Sequence, residues 1–446
     1  MLHIAKFGGT SVADYQAMLR CAEIVQRDPH TKVIVLSASA GVTNHLITLS
    51  QPGIDTALQQ QVIGEIAAIA YNISKHLTNK QQIDQQLASL VEQLTSLVQL
   101  QTISPTALTG DAILAFGEQI SSLLFTQVLN SLGVQAQWFD ARRVVRTDST
   151  FTKAVVDIDY VKHACETILL PLIDTQVIVT QGFIGADEHN NTTTLGRGGS
   201  DYSAALLAEG CGATSVNIWT DVIGIFTTDP RITAKARAID EISFGEAAEM
   251  ATFGAKVLHP ATLVPAMRAD IPVFVGSSRE PLAGGTHIRR EVQSKPSYRA
   301  IAIRKGQTLV TVKSEAMLHA SGFLAQVFAI LAKHKLSVDL ITTSEISVAL
   351  TFDNPQGEQQ AVINRQVINE LEQFCEVTVE HGLSLVAIVG NNLHTSDHLA
   401  GGVFNHLDGI SIRMICHGAS ANNLCFLVAE QQTDHVVERL HAQLFA

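Results

Sequence analysis

The chain of 446 residues contains no uninterrupted run of the ~20 apolar residues that a membrane span needs. No secretory leader is expected, because Met1-Leu2-His3-Ile4-Ala5-Lys6 runs straight into a strand-like segment and a glycine pair. Its six cysteines (Cys21, Cys165, Cys211, Cys375, Cys416 and Cys425) are scattered and form no Cys-x-x-Cys pair. They read as free thiols in a reducing cytoplasm. Basic residues are the minority, 30 Lys and Arg against 42 Asp and Glu, for a formal charge of -12. That balance argues against nucleic acid or an anionic membrane as the main partner. It leaves room for a small anionic substrate in a local cationic pocket.

What is present is a folded globular composition, 46% apolar and 16% charged, too long for one ordinary core. Two or three domains are expected. The first part, 1–292, alternates strands and helices, so an α/β domain with a largely parallel central sheet sandwiched by helices is expected. Strand candidates are 2–6, 32–37, 176–180, 216–220 and 271–275. Helical patterning covers 11–28, 157–173, 200–212 and 244–269, and 56–132 reads as mainly helical. The polar stretch 279–299, with Gly284-Gly285, marks an exit from this domain.

After it the pattern repeats. Strand 308–314, helix 322–334, strands 336–343 and 346–352, helix 359–374 and strand 375–380 form one βαββαβ unit, an α+β ferredoxin-like arrangement. Strand 383–390, helix 396–408, strands 410–416 and 423–429 and helix 433–445 form a second, which lacks its last strand. The orphan strand 299–304 is expected to complete the second sheet, since an open edge invites unwanted pairing. The first module, 306–382, is then inserted in the second, 298–305 plus 383–446.

Four segments carry chemistry. Lys6-Phe7-Gly8-Gly9-Thr10-Ser11 follows a strand. Its glycines let backbone amides approach an anion, the following helix start adds a positive dipole, and Lys6 supplies a cation. The other reading is a plain tight turn; the segment is neither a Walker motif nor a dinucleotide fingerprint. Gly196-Arg197-Gly198-Gly199-Ser200-Asp201 places an arginine among glycines before a helix, suited to clamp a carboxylate; the other reading is a flexible surface loop. In Trp219-Thr220-Asp221…Phe226…Asp229-Pro230-Arg231, Phe226 is either a base platform or core, and Arg231 can meet phosphates. In Phe253-Gly254-Ala255-Lys256-Val257-Leu258-His259-Pro260, Lys256 among apolar neighbours needs an anionic partner or a surface position. His259-Pro260 reads as a helix end. The small polar run from Ser37 to Thr43 suits a pocket lining. Glu118, in an apolar helical run, needs either a ligand ammonium or an internal cation.

Together these segments resemble the aspartokinase group of the amino-acid kinase family, with two C-terminal ACT-type modules, over nearly the whole chain. Met317–Leu324 and Ser337–Glu345 resemble its lysine-sensitive branch. The resemblance implies ATP-dependent phosphorylation of L-aspartate on its side-chain carboxylate, with Mg²⁺ carried by the nucleotide and no direct protein ligands. It implies that Ser37, Thr43, Glu118, Arg197, Ser200 and Asp201 hold the substrate. Lys6, Phe7, Gly8, Gly9, Thr220, Asp221, Phe226, Arg231 and Lys256 would hold the nucleotide, with Lys6, Asp201 and Lys256 catalytic. Met317, Phe323, Leu324, Val338, Asp339, Ser344 and Glu345 would line a site for an L-lysine effector, in a homodimer or dimer of dimers formed through the ACT modules. Phe226 replaces the tyrosine common in the family, and Ala320 replaces a serine of close relatives, which removes one hydrogen bond to the effector.

Overall fold

The computed structural model describes residues 1–254, 258, 260–318, 321–353, 363–396 and 399–445. They divide into two compact units. One is Met1–Ile225, Ala238–Phe244 and Lys256–Val292; the other is Phe226–Arg237, Gly245–Ala255 and Gln293–Ala446. Two short segments of the stretch 1–292 therefore cluster with the second unit rather than the first. Hydrogen bonds account for this. Ile301 N donates to Thr227 O at 2.7 Å, Arg299 Nε donates to buried Glu246 at 2.9 Å, and Asn423 Nδ2 donates to Glu249 at 2.7 Å.

The first unit carries strands β1 (His3–Phe7), β2 (Thr31–Leu36), β3 (Ala136–Phe139), β4 (Val177–Gln181), β5 (Ile184–Ala186), β6 (Thr192–Thr194), β7 (Ser215–Thr220), β8 (Glu241–Ser243), β9 (Val273–Ser277) and β10 (Gly285–Arg289). Eight of them form one sheet in the order β3-β4-β2-β1-β7-β9-β10-β8, and β5 pairs with β6 separately. Every neighbouring pair in the large sheet is parallel except β9 with β10. The central strands are apolar runs because helices cover both faces; Ile4, Phe7 and Val33 to Leu36 are fully buried.

The helical stretch begins at Thr56–Ser74, capped by Asp55, whose side chain accepts from the amides of Ala57 and Leu58. It continues through Lys80–Ile103, Ala107–Leu114 and Phe116–Ser131. By length and mean hydropathy alone, Ala107–Ser131 is apolar enough to cross a membrane, although no such run stood out in the sequence. Its most apolar window is 72% buried inside the protein, which is the environment those side chains serve. The expected helix 244–269 is two helices, Phe244–Thr252 and Pro260–Arg268. Gly254, at φ 109°, lies beyond the right-handed region and ends the first, and Pro260 opens the second.

In the second unit β11 (Ala300–Lys313), β12 (Ile341–Thr343), β13 (Ser347–Asp353), β14 (Glu376–Val389), β15 (Met414–His417) and β16 (Asn423–Ala429) form a single antiparallel sheet, ordered β12-β13-β11-β14-β16-β15. Residues 300–304 pair with 385–389 of the C-terminal module. The same strand then continues into the other module, so the two share β11 and β14 instead of forming separate sheets. A register shift between Arg304 and Gln307 marks the crossing. Strand 336–343 contracts to β12, strand 410–416 to β15, and helix 396–408 to Leu399–Phe404.

Candidate active site

Parallel strands place their following loops at one edge of the sheet. A ligand crevice forms there where neighbouring connections leave in opposite directions. Here β1 lies between β2 and β7. Beyond the carboxyl ends of these three strands opens a cavity of about 470 Å³. Lys6, Gly8, Gly9 and Thr10 line it from β1, Ser37 to Gly41 and Thr43 from β2, Thr220 and Asp221 from β7, and Asp201 from the helix Gly199–Cys211.

Lys6 is 8% exposed. Its Nζ stands 2.5 Å from Asp201 Oδ1, an ion pair that holds a buried cation at the cavity wall. Asp201 sits in the first turn of its helix, where the dipole favours a carboxylate. Gly198 precedes that helix at φ 73°, the left-handed region open to glycine.

The glycine turn after β1 is tightly fixed. Gly8 N donates to Trp219 O at 3.0 Å, and Ser11 N donates to Gly8 O at 2.9 Å. The Gly8 amide is thus already used, and the amides of Gly9 and Thr10 head the turn. A β-carbon on Gly9 would lie 2.7 Å from Ala38 O, so only glycine lets the two loops meet. From the other side, a β-carbon on Gly117 would lie 2.5 Å from that of Ala38. The Ser37–Gly41 loop is therefore clamped between the β1 turn and the helix Phe116–Ser131. Ser39 Oγ to Val12 O at 2.8 Å and Ser121 Oγ to Ser37 O at 2.8 Å complete the clamp.

Glu118 stands behind this loop, 5% exposed. Burial pushes its carboxyl group up to about 8, against the opposing pull of the Ala38 amide and the Lys6 charge. A buried acid at that setting is poised to ionise when a cationic group arrives.

The structure gathers Lys6, Gly8, Gly9, Thr220, Asp221, Ser37, Thr43 and Asp201 at one cavity. Arg197 and Ser200 belong to the turn leading into the Asp201 helix. Arg197 is exposed between Gly196 and Gly198, both at positive φ. Phe7 differs from its expected role. It is fully buried, with its ring 5.7 Å from that of Phe125, so its side chain serves the core. Phe226 and Arg231 belong to the second unit, where Arg231 forms a two-pronged ion pair with Asp229. Lys256, His259 and Ala320 lie outside the described residues.

Of the expected effector residues, Asp339 Oδ2 accepts from Arg304 Nη1 at 2.7 Å. The same guanidinium donates to Thr252 O. Met317 and Val338 pack against the core of their module, and Phe323 is buried edge-on to Phe374. Leu324 and Glu345 are exposed, and Ser344 Oγ pairs with Ser347 Oγ at 2.7 Å.

Asp111, Asp187 and Glu246 are buried carboxylates that escaped the sequence. Asp111 is fully buried and accepts from Thr152 N at 2.9 Å, Thr194 N at 2.8 Å and Thr194 Oγ1 at 2.9 Å. No motif marks it, and its partners lie 41 and 83 positions away.

Residues 1–277 match the model of the amino acid kinase family, and residues 386–444 match that of the ACT domain. Over 444 residues, 99% of each chain, the sequence is 49% identical to lysine-sensitive aspartokinase 3 of Escherichia coli (strain K12). It is 33% identical to the chloroplastic aspartokinase 3 of Arabidopsis thaliana, across 99% of this chain and 81% of that one. The fold matches E. coli aspartokinase III in complex with aspartate and ADP (R-state) at a TM-score of 0.92, with 48% identity and full coverage of both chains. The same enzyme with lysine and aspartate (T-state) matches at 0.85, again with 48% identity and full coverage of both. The cavity at the carboxyl ends of β1, β2 and β7, the lysine and carboxylate beside it, and these full-length likenesses agree: the chain belongs to the amino acid kinase family, in its aspartokinase branch.

Proposed function

We propose that the chain transfers the γ-phosphoryl group of ATP to the β-carboxylate of L-aspartate, giving 4-phospho-L-aspartate and ADP, and that L-lysine inhibits it. The implied pathway is the synthesis of lysine, threonine and methionine. The carrying observation is the cavity itself, a floor of glycine-turn amides with the cation of Lys6 held 2.5 Å from Asp201. The aspartate and ADP bound to the E. coli relative support the same assignment.

The nucleophile has a pKa of about 4, so it is ionised at neutral pH and needs no base. The barrier is repulsion between a carboxylate and a triphosphate. A carboxylate oxygen forms the new bond to phosphorus while the bond to the β-phosphate oxygen breaks, and no proton moves. The protein's task is to place fixed positive charge along that line. Lys6 and the turn amides supply it, Asp201 keeps Lys6 in place, and Lys256 is assigned the same work from the sequence. Glu118, ionised by the substrate's α-ammonium, holds the amino end, and Arg197 holds the α-carboxylate. Mg²⁺ carried by the nucleotide would supply further neutralisation of the phosphates.

For regulation, Asp339 already holds a cation, the Arg304 guanidinium. A lysine side-chain ammonium meets the same chemistry at that carboxylate. Asp339→Asn is expected to raise the lysine concentration for half-inhibition about ten-fold or more, the loss of one charge-assisted hydrogen bond, while turnover without lysine is kept. Unchanged inhibition in that variant counts against the site. A homodimer or dimer of dimers through the ACT modules is supported by Leu324 and Phe328, one helical turn apart and 38% and 40% exposed. The six free cysteines support a reducing cytoplasm.

The test is ADP release with aspartate, glutamate or acetylglutamate as acceptor, titrated with lysine, threonine and methionine. Turnover on aspartate that lysine suppresses is expected. Turnover only on another acid would reassign the substrate, and none at all would leave an effector sensor without a reaction.

A further inference from the structure

Helix Ala107–Leu114 runs through Ala115, still right-handed at φ -66° and ψ -19°, directly into Phe116–Ser131. Asp111 and Glu118 are seven positions apart on this near-continuous helix. Seven residues are almost two whole turns, so the two carboxylates share one face about 10 Å apart along the axis. Each end grips a different loop. On the Glu118 side the helix grips the loop that lines the cavity after β2: Ser121 Oγ donates to Ser37 O at 2.8 Å, and a β-carbon on Gly117 would lie 2.5 Å from that of Ala38. Asp111 takes the amide and hydroxyl of Thr194, at the end of β6, together with the amide of Thr152.

The Asp111 end holds a segment that contains a strained residue. Thr152 is a non-glycine residue at φ 73°, a left-handed conformation that needs outside support. Ala154 N donates to Thr194 O at 2.9 Å, so the two segments are laced together. A β-carbon on Gly196 would lie 3.4 Å from Thr152 O, which places the Thr152 carbonyl directly under the glycine turn. Two residues beyond Thr194 that turn begins, and it carries Arg197 and Ser200.

We propose that Asp111 is a positioning residue for the acceptor substrate: it fixes the Thr152 and Thr194 segments that support the Gly196–Ser200 turn and thereby sets the reach of Arg197 and Ser200. The assignment rests on the reading of aspartate as acceptor and on Arg197 as its carboxylate clamp. The helix bearing Asp111 and Glu118 then acts as a ruler, holding the Ser37–Gly41 wall at one end and the Arg197 turn at the other. A substrate with one more methylene meets a pocket whose two walls are tied to a single rigid element.

The test is steady-state kinetics on folded full-length variants, varying aspartate and ATP separately. The nucleotide side of the cavity, at Gly9, Thr220 and Asp221, has no bond to Asp111. Asp111→Ala is expected to raise KM for aspartate by about ten-fold or more, as for the loss of hydrogen bonds to a buried charge, with KM for ATP within about two-fold. Asp111→Asn restores most of the affinity. Its amide oxygen accepts from both backbone amides and its NH₂ donates to the Thr194 hydroxyl. Thr194→Val, which loses one of the three bonds, falls between them and supplies the readout if Asp111→Ala does not fold. Aspartate KM unchanged in folded Asp111→Ala, or in Thr194→Val when that is the folded variant, overturns the proposal. So does an equal rise in both KM values. A wild-type enzyme that does not turn over aspartate fails the underlying reading instead.

Discussion

Lys6→Ala is expected to lower kcat by at least about a hundred-fold while the protein remains folded, the scale on which single preorganised groups act on a developing charge. The effect is large because Lys6 does two things with one ammonium group. It offsets the repulsion between carboxylate and triphosphate, and it neutralises Asp201 at 2.5 Å. Removing it leaves Asp201, with a side chain only 14% exposed, as a buried negative charge facing two anionic reactants. The double variant Lys6→Ala/Asp201→Asn removes that residual charge. It is expected to recover stability and nucleotide affinity without recovering turnover, so it separates the two roles. Circular dichroism checks the fold and single-turnover ADP release checks the chemistry. Wild-type turnover in a correctly folded Lys6→Ala protein contradicts the assignment.

Glu118→Gln is expected to stabilise the protein at neutral pH and to weaken aspartate binding. The carboxyl group titrates at about 8 in the folded chain against an ordinary 4.5. Between those values the folded state binds a proton that the unfolded state has released. Stability from this group is therefore complete below the unfolded value and is lost as pH rises through the window from 4.5 to about 8. At pH 7 the cost is on the order of 3 kcal/mol. Glutamine keeps the shape and an oxygen for the Ala38 amide but does not titrate. The Tm of the variant should match wild type near pH 4.5 and exceed it by a growing margin toward pH 8. Over the upper part of that range the wild-type KM for aspartate should fall as the carboxylate forms, and in Glu118→Gln it should be higher and nearly flat. A Tm difference independent of pH contradicts the burial argument.

Much of the site was legible because its chemistry is local. Gly8-Gly9 after a strand, Thr220-Asp221 at a strand end and Asp201 at a helix start are placed by short-range rules, and the sheet brings them to one cavity. Phe7 was not legible. β1 is buried on both faces, so no alternation tells a cavity residue from a core residue. Asp111 was not legible because its partners come from two distant loops. In the second unit strand breaks are expected between 304 and 308 and between 380 and 383, where Gly306 and Gly382 stand at φ 73° and 71°. The strands instead absorb them as irregularities, and residues 300–313 and 376–389 run through both modules. Sequence periodicity identifies such modules, but only cross-strand register shows that they share one sheet.

A crystal structure with ADP and aspartate bound decides where the two reactants meet. The terminal phosphate of ADP is expected at the Gly9–Thr10 amides beside Lys6, and the aspartate between the Ser37–Gly41 loop and the Arg197 turn, with its ammonium toward Glu118. Reactants bound at another edge of the sheet, or an aspartate amino group remote from Glu118, would contradict this placement.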